Sequence, residues 1–416
     1  MRIKSALLAT ALVVVSLVAI KQPAIADSLN VPKTTFPVCS ETRTDYCIES
    51  VSLQSPGGTV ENLVYQANGV ALPAPTASAT PGATPAPAAP ATADPNADLT
   101  DAGTGILGAW TSPTWVAAGH SALGYSGLAI DAKSANSFSN WLHLQVKAAK
   151  IDSANKTTYA FAKGTTNPAS LNRDDIITVK IRVQNFQAGV TVGFGTSVHV
   201  DRQGSGSANT LTISGSAIPL AVAGNTKDCE GESGKAAYNY DGFGAMIAPT
   251  NDPISGFGVD GVSGNMVVQS NGICNLATPT WDSTDKSLNW IASAPHYAAD
   301  GKTINQGFYQ AAIPVADAAL LWGLDNPKDA ASALIVSMTT DANGTDVNTV
   351  KSIAVKNNYI IISSTGFQYS SPKFKIAKNP KYLPTKPVTK VITCVKGKTV
   401  KKTVAPICPK GFKLKK

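Results

Sequence analysis

The sequence predicts a mainly β protein: one or two antiparallel β-sandwiches, with a Pro/Ala-rich insertion or linker and a small basic C-terminal hairpin. Three observations carry that prediction. Ile177 to Gln184 alternates apolar and polar residues strictly, which puts Ile177, Val179, Ile181 and Val183 on one buried face of a strand. Short runs of the same kind recur between turns rich in Gly, Asn and Ser. A helical period shows only briefly, at Pro314 to Trp322. With 416 residues, 43% apolar and 15% charged against about 25% in ordinary proteins, the chain is neither a highly charged disordered protein nor a small disulfide scaffold. It is long enough for two cores.

The elements follow in chain order. Arg2 and Lys4 precede the apolar run Ala6 to Ile20, and Ala24-Ile25-Ala26 offers small residues for cleavage, so residues 1–26 read as a secretory signal peptide. The apolar run is 15 residues long, short of the ~20 that span a bilayer, so no transmembrane anchor is expected after cleavage. Residues 27–70 read as a strand pair with a cysteine loop, Tyr46 to Leu53 beside Glu61 to Tyr65. Of the 25 residues from Ala71 to Pro95, 21 are Ala, Pro or Thr, so 71–98 has nothing to pack and acts either as a stalk or as an insertion between two strands.

Residues 99–372 form the expected β body, either one unit or two subdomains dividing near 220. After the strand at Ile177, Val190 to Phe194, Val198 to Val200 and Leu211 to Ile213 complete a meander, with a turn at Gly204 to Asn209. Pro314 to Trp322 reads as a helix, proline in its first turn and Gly323 as its stop, with Val315, Ala318, Ala319 and Trp322 on one face. Further strands are expected at Leu334 to Met338, Ser352 to Val355 and Tyr359 to Ser363. Three Gly-Phe-Gly triplets, starting at Gly193, Gly242 and Gly256, read either as surfaces presenting aromatics to sugar rings, with Tyr238 and Tyr240 nearby, or as tight packing sites in strands. The six tryptophans read as core.

Six cysteines, Cys39, Cys47, Cys229, Cys274, Cys394 and Cys408, fit disulfides in an exported chain. Six allow fifteen pairings; pairing between sequence neighbours is expected, because composition breaks separate the three couples. No C-x-x-C occurs and no histidine stands at ligand spacing from a cysteine, so no metal or cofactor is assigned.

The net charge of +8 conceals two opposed halves. Ser371 to Lys416 holds 14 lysines and no acidic residue, while residues 27–370 carry −9. The tail, 373–416, contains the hairpin-like run Val391 to Val404 around Lys396-Gly397-Lys398, which Cys394 and Cys408 are placed to close. Its lysines, Lys390, Lys396, Lys398, Lys401, Lys402, Lys410, Lys413, Lys415 and Lys416, are the candidate binding residues for an anionic cell-wall polymer or surface glycan. Nucleic acid is the weaker partner, since an exported tail without arginine and with few aromatics lacks the usual reading groups. A solvated tail, or one folded back on the acidic body, is the competing reading.

Ile392 to Thr399 and Ile407 to Lys413 resemble the Lys-rich two-cysteine tails of exported actinobacterial proteins. Cys47 to Val51, and Gly366-Phe367 with Ser370 to Phe374, resemble segments of uncharacterised secreted proteins of that group. The resemblance implies an envelope or extracellular setting and no particular activity.

Catalytic signals are weak, and no catalytic residue is assigned. Gly119-His120-Ser121-Ala122-Leu123 has leucine where a nucleophile elbow needs glycine. Gly231 to Lys235 ends like a phosphate loop, but Cys229 and Ala236 occupy its first glycine and its Ser/Thr positions. Asp341 to Asp346 reads as a hairpin turn more readily than a calcium loop, because Asp346 stands at the glycine position of an EF-hand. His120 and His296, beside Trp115 and Tyr297, read as loop residues or as pocket lining. The expectation is therefore a secreted or cell-wall-associated binding or structural protein, with a glycan-active hydrolase and a surface-layer or adhesin-like unit as alternatives.

Overall fold

The structure, a computed structural model, describes residues 29–70, 107–112, 115, 125–134, 140–159, 170–204, 209–229, 231–249, 259, 261–274, 278–324, 326–339, 352–369, 373–383, 391–404 and 408–415. The expected signal segment and the low-complexity stretch lie outside these residues.

The protein is mainly β. The first half contains β1 (Cys47–Gln54), β2 (Glu61–Ala67), β3 (Gly108–Thr111), β4 (Gly127–Ser134), β5 (Leu142–Ile151), β6 (Thr157–Tyr159), β7 (Ile176–Arg182), β8 (Ala188–Gly193), β9 (Thr196–Gln203), β10 (Thr210–Ser216), β11 (Ile218–Ala223) and β12 (Ala236–Pro249). The second half contains β13 (Val267–Ser270), β14 (Thr280–Asp282), β15 (Ser287–Ile291), β16 (Gln306–Pro314), α1 (Val315–Trp322), β17 (Leu334–Thr339), β18 (Ser352–Lys356), β19 (Tyr359–Gln368) and β20 (Lys373–Lys378). The tail adds β21 (Val391–Lys396), β22 (Thr399–Val404) and β23 (Lys413–Leu414).

Sixteen strands join in one sheet, ordered β18-β19-β16-β13-β8-β12-β5-β4-β3-β2-β1-β7-β10-β9, with β11 on β12 and β6 on β5. All pairs are antiparallel except β8 with β13. A first core lies between the β12-β5-β4 and β1-β7-β10 regions of this sheet, filled by Val51, Leu144, Val146, Val179, Ile181 and Ile213. The alternation read in β7 has its cause here: Ile177, Val179 and Ile181 are buried, while Thr178, Lys180 and Arg182 stand on the outer face. A second core separates β19-β16-β13-β8 from a four-stranded sheet, β14-β15-β20-β17. Its centre is aromatic, with Tyr309 stacked on Phe374 at 4.1 Å and Trp290 5.3 Å from Tyr309.

β8 and the C-terminal half of β12 are buried on both faces, because they serve both cores. Phe243, Ala245 and Ile247 point into the first, while Met246, Val190 and Val192 belong to the second. The Gly-Phe-Gly triplets have their explanation at this junction. A Cβ on Gly244 would lie 2.0 Å from the Phe194 ring, and Gly215 would meet the Phe243 ring at 2.5 Å, so strands carrying these phenylalanines approach only across glycine. Phe194 and Phe243 are buried packing residues; the triplet at 256–258 lies outside the described residues.

Three expectations need correction. The meander is broken: β7, β10 and β9 are neighbours, but β8 crosses to pair with β12 and β13, since its buried residues fit the second core. The division near 220 fails for the same reason, because β8 precedes that point and β12 belongs to both cores. The strand pair of 27–70 joins the large sheet, with β1 between β2 and β7. The tail begins later than 373: β20 is the strand between β15 and β17, with Phe374 and Ile376 buried in the second core. The low-complexity stretch connects β2 to β3, which pair from Val64 with Thr111 to Ala67 with Gly108, so it is an insertion within one sheet.

The helix forms where expected, starting just after Pro314 and ended by Gly323 at φ +61°. Its buried face is Asp317, Ala318, Leu321 and Trp322, and Ala319 is only half-buried. Asp317 is 1% exposed because its carboxylate accepts from the Ser263 and Gly264 backbone and the Ser263 hydroxyl at 2.8–3.1 Å. Trp110, Trp115, Trp290 and Trp322 are buried, and Trp141 and Trp281 pack against the second core.

Candidate anion-binding surfaces

The six cysteines form three disulfides, each between sequence neighbours: Cys39–Cys47, Cys229–Cys274 and Cys394–Cys408. The first closes the loop before β1, the second ties the segment after β11 to that after β13, and the third staples the tail.

In the tail, β21 and β22 pair from Val391 with Val404 to Lys396 with Thr399. The two-residue turn is Gly397-Lys398, with Gly397 at φ +59°, the arrangement of a type II′ hairpin whose first central residue must be left-handed. β23 adds to the other edge of β21, Leu414 opposite Cys394, so the disulfide and a third strand close a miniature sheet. Cys394 is fully buried. Lys396, Lys398, Lys401, Lys402, Lys410, Lys413 and Lys415 are all exposed. Cross-strand register places Lys401 opposite Cys394 and Lys402 opposite Thr393, so the lysines occupy both faces rather than one. Among the described residues none of these seven makes an ion pair. Lys390 and Lys416 lie outside the described residues.

The body handles charge differently. Glu49 occupies a bulge in β1, where the register with β7 shifts between Ile48 and Ser50. There its carboxylate accepts from Lys180 Nζ at 2.9 Å on Oε1 and from Arg182 Nε at 3.0 Å on Oε2. Burial raises the Glu49 pKa, but hydrogen bonds from Lys180 and Arg182, with their charges, outweigh it and hold the group below its ordinary value. The three side chains line a shallow groove of about 480 Å³, joined by Thr44, Gln203 and Thr210. Among the described residues no aromatic side chain lines it. It holds one carboxylate, whereas glycoside hydrolysis uses two.

A second polar cluster lies on the outer face of β4 and β5. Asp131 accepts from Thr35 Oγ1 at 2.7 Å and pairs with Lys133 at 3.2 Å. Opposite Lys133 stands His143, whose Nε2 is buried with no hydrogen-bond partner. Burial, with Lys147 and Lys133 nearby and only Asp131 opposing, pushes its pKa down to about 4. Thr35 borders the ~30 Å³ cavity around Phe36 and Trp110, but Asp131, Lys133, His143 and Lys147 line neither that cavity nor the groove, so they read as buried structure.

The remaining motifs resolve as structure. Gly231 to Ser233 form a turn that leads into β12 rather than a helix, so no phosphate loop exists there. His296 is 7% exposed and its Nδ1–H donates to the Tyr369 carbonyl, inside a network where Asn271 accepts from the Tyr369 hydroxyl and from Phe308 N. Tyr240 is buried, and Tyr238 packs beside it. His120, the Gly119 to Gly124 motif and the Asp341 to Asp346 loop lie outside the described residues. Among the described residues no group of three or more His, Cys, Asp or Glu side chains is placed to hold a metal, and no helix is long and apolar enough to cross a membrane.

Sequence reasoning singled out the tail and missed the groove. Lys180 and Arg182 were legible as the polar face of β7, but only the bulge in β1 brings Glu49 between them. Comparison with protein-family models, curated proteins and solved structures finds no match.

Proposed function

We propose that the protein is exported and associates with the cell envelope through its C-terminal module, which binds anionic wall polymers or surface glycans. The carrying observation is the state of Lys396, Lys398, Lys401, Lys402, Lys410, Lys413 and Lys415: seven exposed cations, unpaired among the described residues, with no acidic residue after Asp346. Ion pairs in the body show the contrast, Arg173 meeting Asp241 at 2.8 Å and Lys375 meeting Asp285. Lysines crowded on so small a sheet repel one another, and a polyanion relieves that repulsion while releasing its own counterions. Lysine is a hydrated point charge without fixed geometry, so the module reads charge density rather than sequence or shape. Three disulfides, the signal-like segment Met1 to Ala26 and the resemblance of the tail to those of exported actinobacterial proteins support the setting. The body contributes structure and binding, and no reaction is assigned to it.

The test is binding of the mature chain to isolated wall material across a salt series, with and without residues 384–416. The cut must follow Leu383, because β20 belongs to the second core and Tyr382 donates to Asp329 at 2.9 Å. Binding that depends on the tail and falls linearly in log–log with salt is the expected result; equal, salt-insensitive binding without the tail overturns the reading.

A further inference from the structure

We propose that the groove between β1, β7 and β10 is a second, shape-selective site that takes one carboxylate or phosphate group flanked by hydroxyls, the chemistry of an acidic glycan unit. The proposal concerns the body alone and does not depend on the tail.

The cations carry an unspent charge. Lys180 and Arg182 share the single carboxylate of Glu49, so the lining has a net charge of +1. Arg182 engages Glu49 through Nε only, at 3.0 Å, and its two terminal amino groups have no partner among the described residues. If the arginine served Glu49 alone, a two-pronged contact would be the stronger choice. Held side-on, it presents its terminal N–H groups to the groove as a planar fork, the geometry that grips a carboxylate or phosphate through two bonds. Lys180 also uses one donor, leaving two.

The neutral groups define the rest of the ligand. Each oxygen of Glu49 accepts one hydrogen bond and keeps a further acceptor site, which suits a hydroxyl donor. Thr44 is exposed at the lip of the groove on the loop closed by Cys39–Cys47, and the Thr210 hydroxyl is tied only by a 3.3 Å bond to the Gln203 carbonyl. A neutral sugar held by stacking needs an aromatic platform, which is missing from this lining. A hydrophobic ligand would meet three charged side chains. The volume of about 480 Å³ lies within the ~300–1,000 Å³ of small-molecule sites, so one or two sugar-sized units fit rather than a folded partner.

The bulge in β1 has a matching role. Without it Glu49 would continue the strand alternation; the extra residue turns the carboxylate toward β7, where it fixes both cation stems. The carboxylate thus sets the positions of Lys180 and Arg182, and the unfilled donors face outward.

The experiment uses the full mature chain and three short probes, each too short to bridge to a second site: a uronic acid trimer, a glycerol phosphate trimer and a neutral glucose trimer. Titration calorimetry at ~0.15 M salt, near the physiological screening length, is expected to show saturable binding of at least one acidic probe and none of the neutral one. Whichever acidic probe binds more tightly identifies the carboxylate or the phosphate as the preferred group. Arg182→Gln is expected to weaken binding about tenfold or more, the loss of two charge-assisted bonds. Thr44→Trp, which fills the groove from an exposed loop position and leaves the cores untouched, is expected to abolish it. A variant with Lys401, Lys402, Lys413 and Lys415 all changed to Gln is expected to bind the probes as the unmodified chain does. The proposal is overturned if neither acidic probe binds, if the neutral probe binds equally, if both groove variants bind normally, or if the tail variant loses binding in parallel. None of these outcomes depends on whether the tail holds the wall.

Discussion

The body and the tail module solve the same problem by different means. The body buries two cores and settles its charges internally, so that Glu49, Asp131, Asp241 and Asp285 each hold a lysine or arginine. Among its described residues the tail has one buried cysteine at its centre and seven cations without an ion pair, and it contains no acidic residue. A sheet of this size cannot bury enough apolar surface to stand on its core alone, so covalent closure replaces it. The difference teaches that the chain's overall +8 describes neither region: the charge that shapes the body is paired and local, and the charge available for binding is concentrated where packing is least.

The largest expected effect tests where one region ends and the other begins. Phe374→Ala removes a ring stacked on Tyr309 and should cost the body about 3–5 kcal/mol, read from denaturant unfolding. A tail residue at that position would cost almost nothing. The Cys394→Ser, Cys408→Ser pair should act the other way, removing roughly 3 kcal/mol of loop restraint from the module alone while the body's unfolding midpoint stays in place. A coincident shift of both would sink the separation.

Sequence alone made some of this plain and hid the rest for physical reasons. Strand positions at β7, β17 and β19 were legible because each buries one face, and period two survives in the residues themselves; β18 keeps an alternating Ile353 and Val355 although only Ile353 is half-buried. β8 read as an ordinary strand and β12 was not read as one, because burial on two faces erases alternation, so nothing in Val190 to Gly193 announced that its partners are β12 and β13. β20 was assigned to the tail because its three lysines and flanking prolines match the tail's composition; Phe374 and Ile376, two residues apart, were the overlooked signal of a strand with a buried face. The tail hairpin was readable from Gly397 and the cysteine spacing, both local features. The groove was not, because it depends on a one-residue bulge in β1 and on residues 44, 49, 180, 182, 203 and 210 meeting across four segments.

His143 sharpens the comparison within the body, as a titratable group that has no ion pair. Its pKa falls from 6.5 to about 4 on folding, so the unfolded chain takes up a proton first as pH drops. Stability is therefore expected to be full above about pH 6.5 and to decline toward pH 4, by roughly 3 kcal/mol over the window at about 1.4 kcal/mol per unit. His143→Leu removes both the proton and the unpartnered Nε2, and should leave stability at pH 7 unchanged or slightly higher while flattening the acid decline. Thermal unfolding of the two proteins at pH 7 and pH 4.5 decides it: equal losses in both would assign the acid sensitivity elsewhere.

Glu49 gives the smallest effect and the opposite kind of titration. Its folded pKa is depressed, so its contribution is present above the unfolded value near 4.3 and is lost as pH falls through the folded one. The side chains of the triad are 26–34% exposed, so solvent screens the gain to about 1 kcal/mol or less. Glu49→Gln should therefore lower stability only slightly at pH 7 and match the unmodified chain only once the pH has fallen below the depressed folded value. It should also free Lys180 and Arg182, raising the net charge of the groove lining from +1 to +2. A short acidic probe would then find a stronger field but a looser pair of cations. If the carboxylate matters chiefly by holding those two stems in place, the variant binds the probe less tightly despite its extra positive charge. Tighter binding would mean that charge alone governs the groove, and the body would then differ from the tail only in degree.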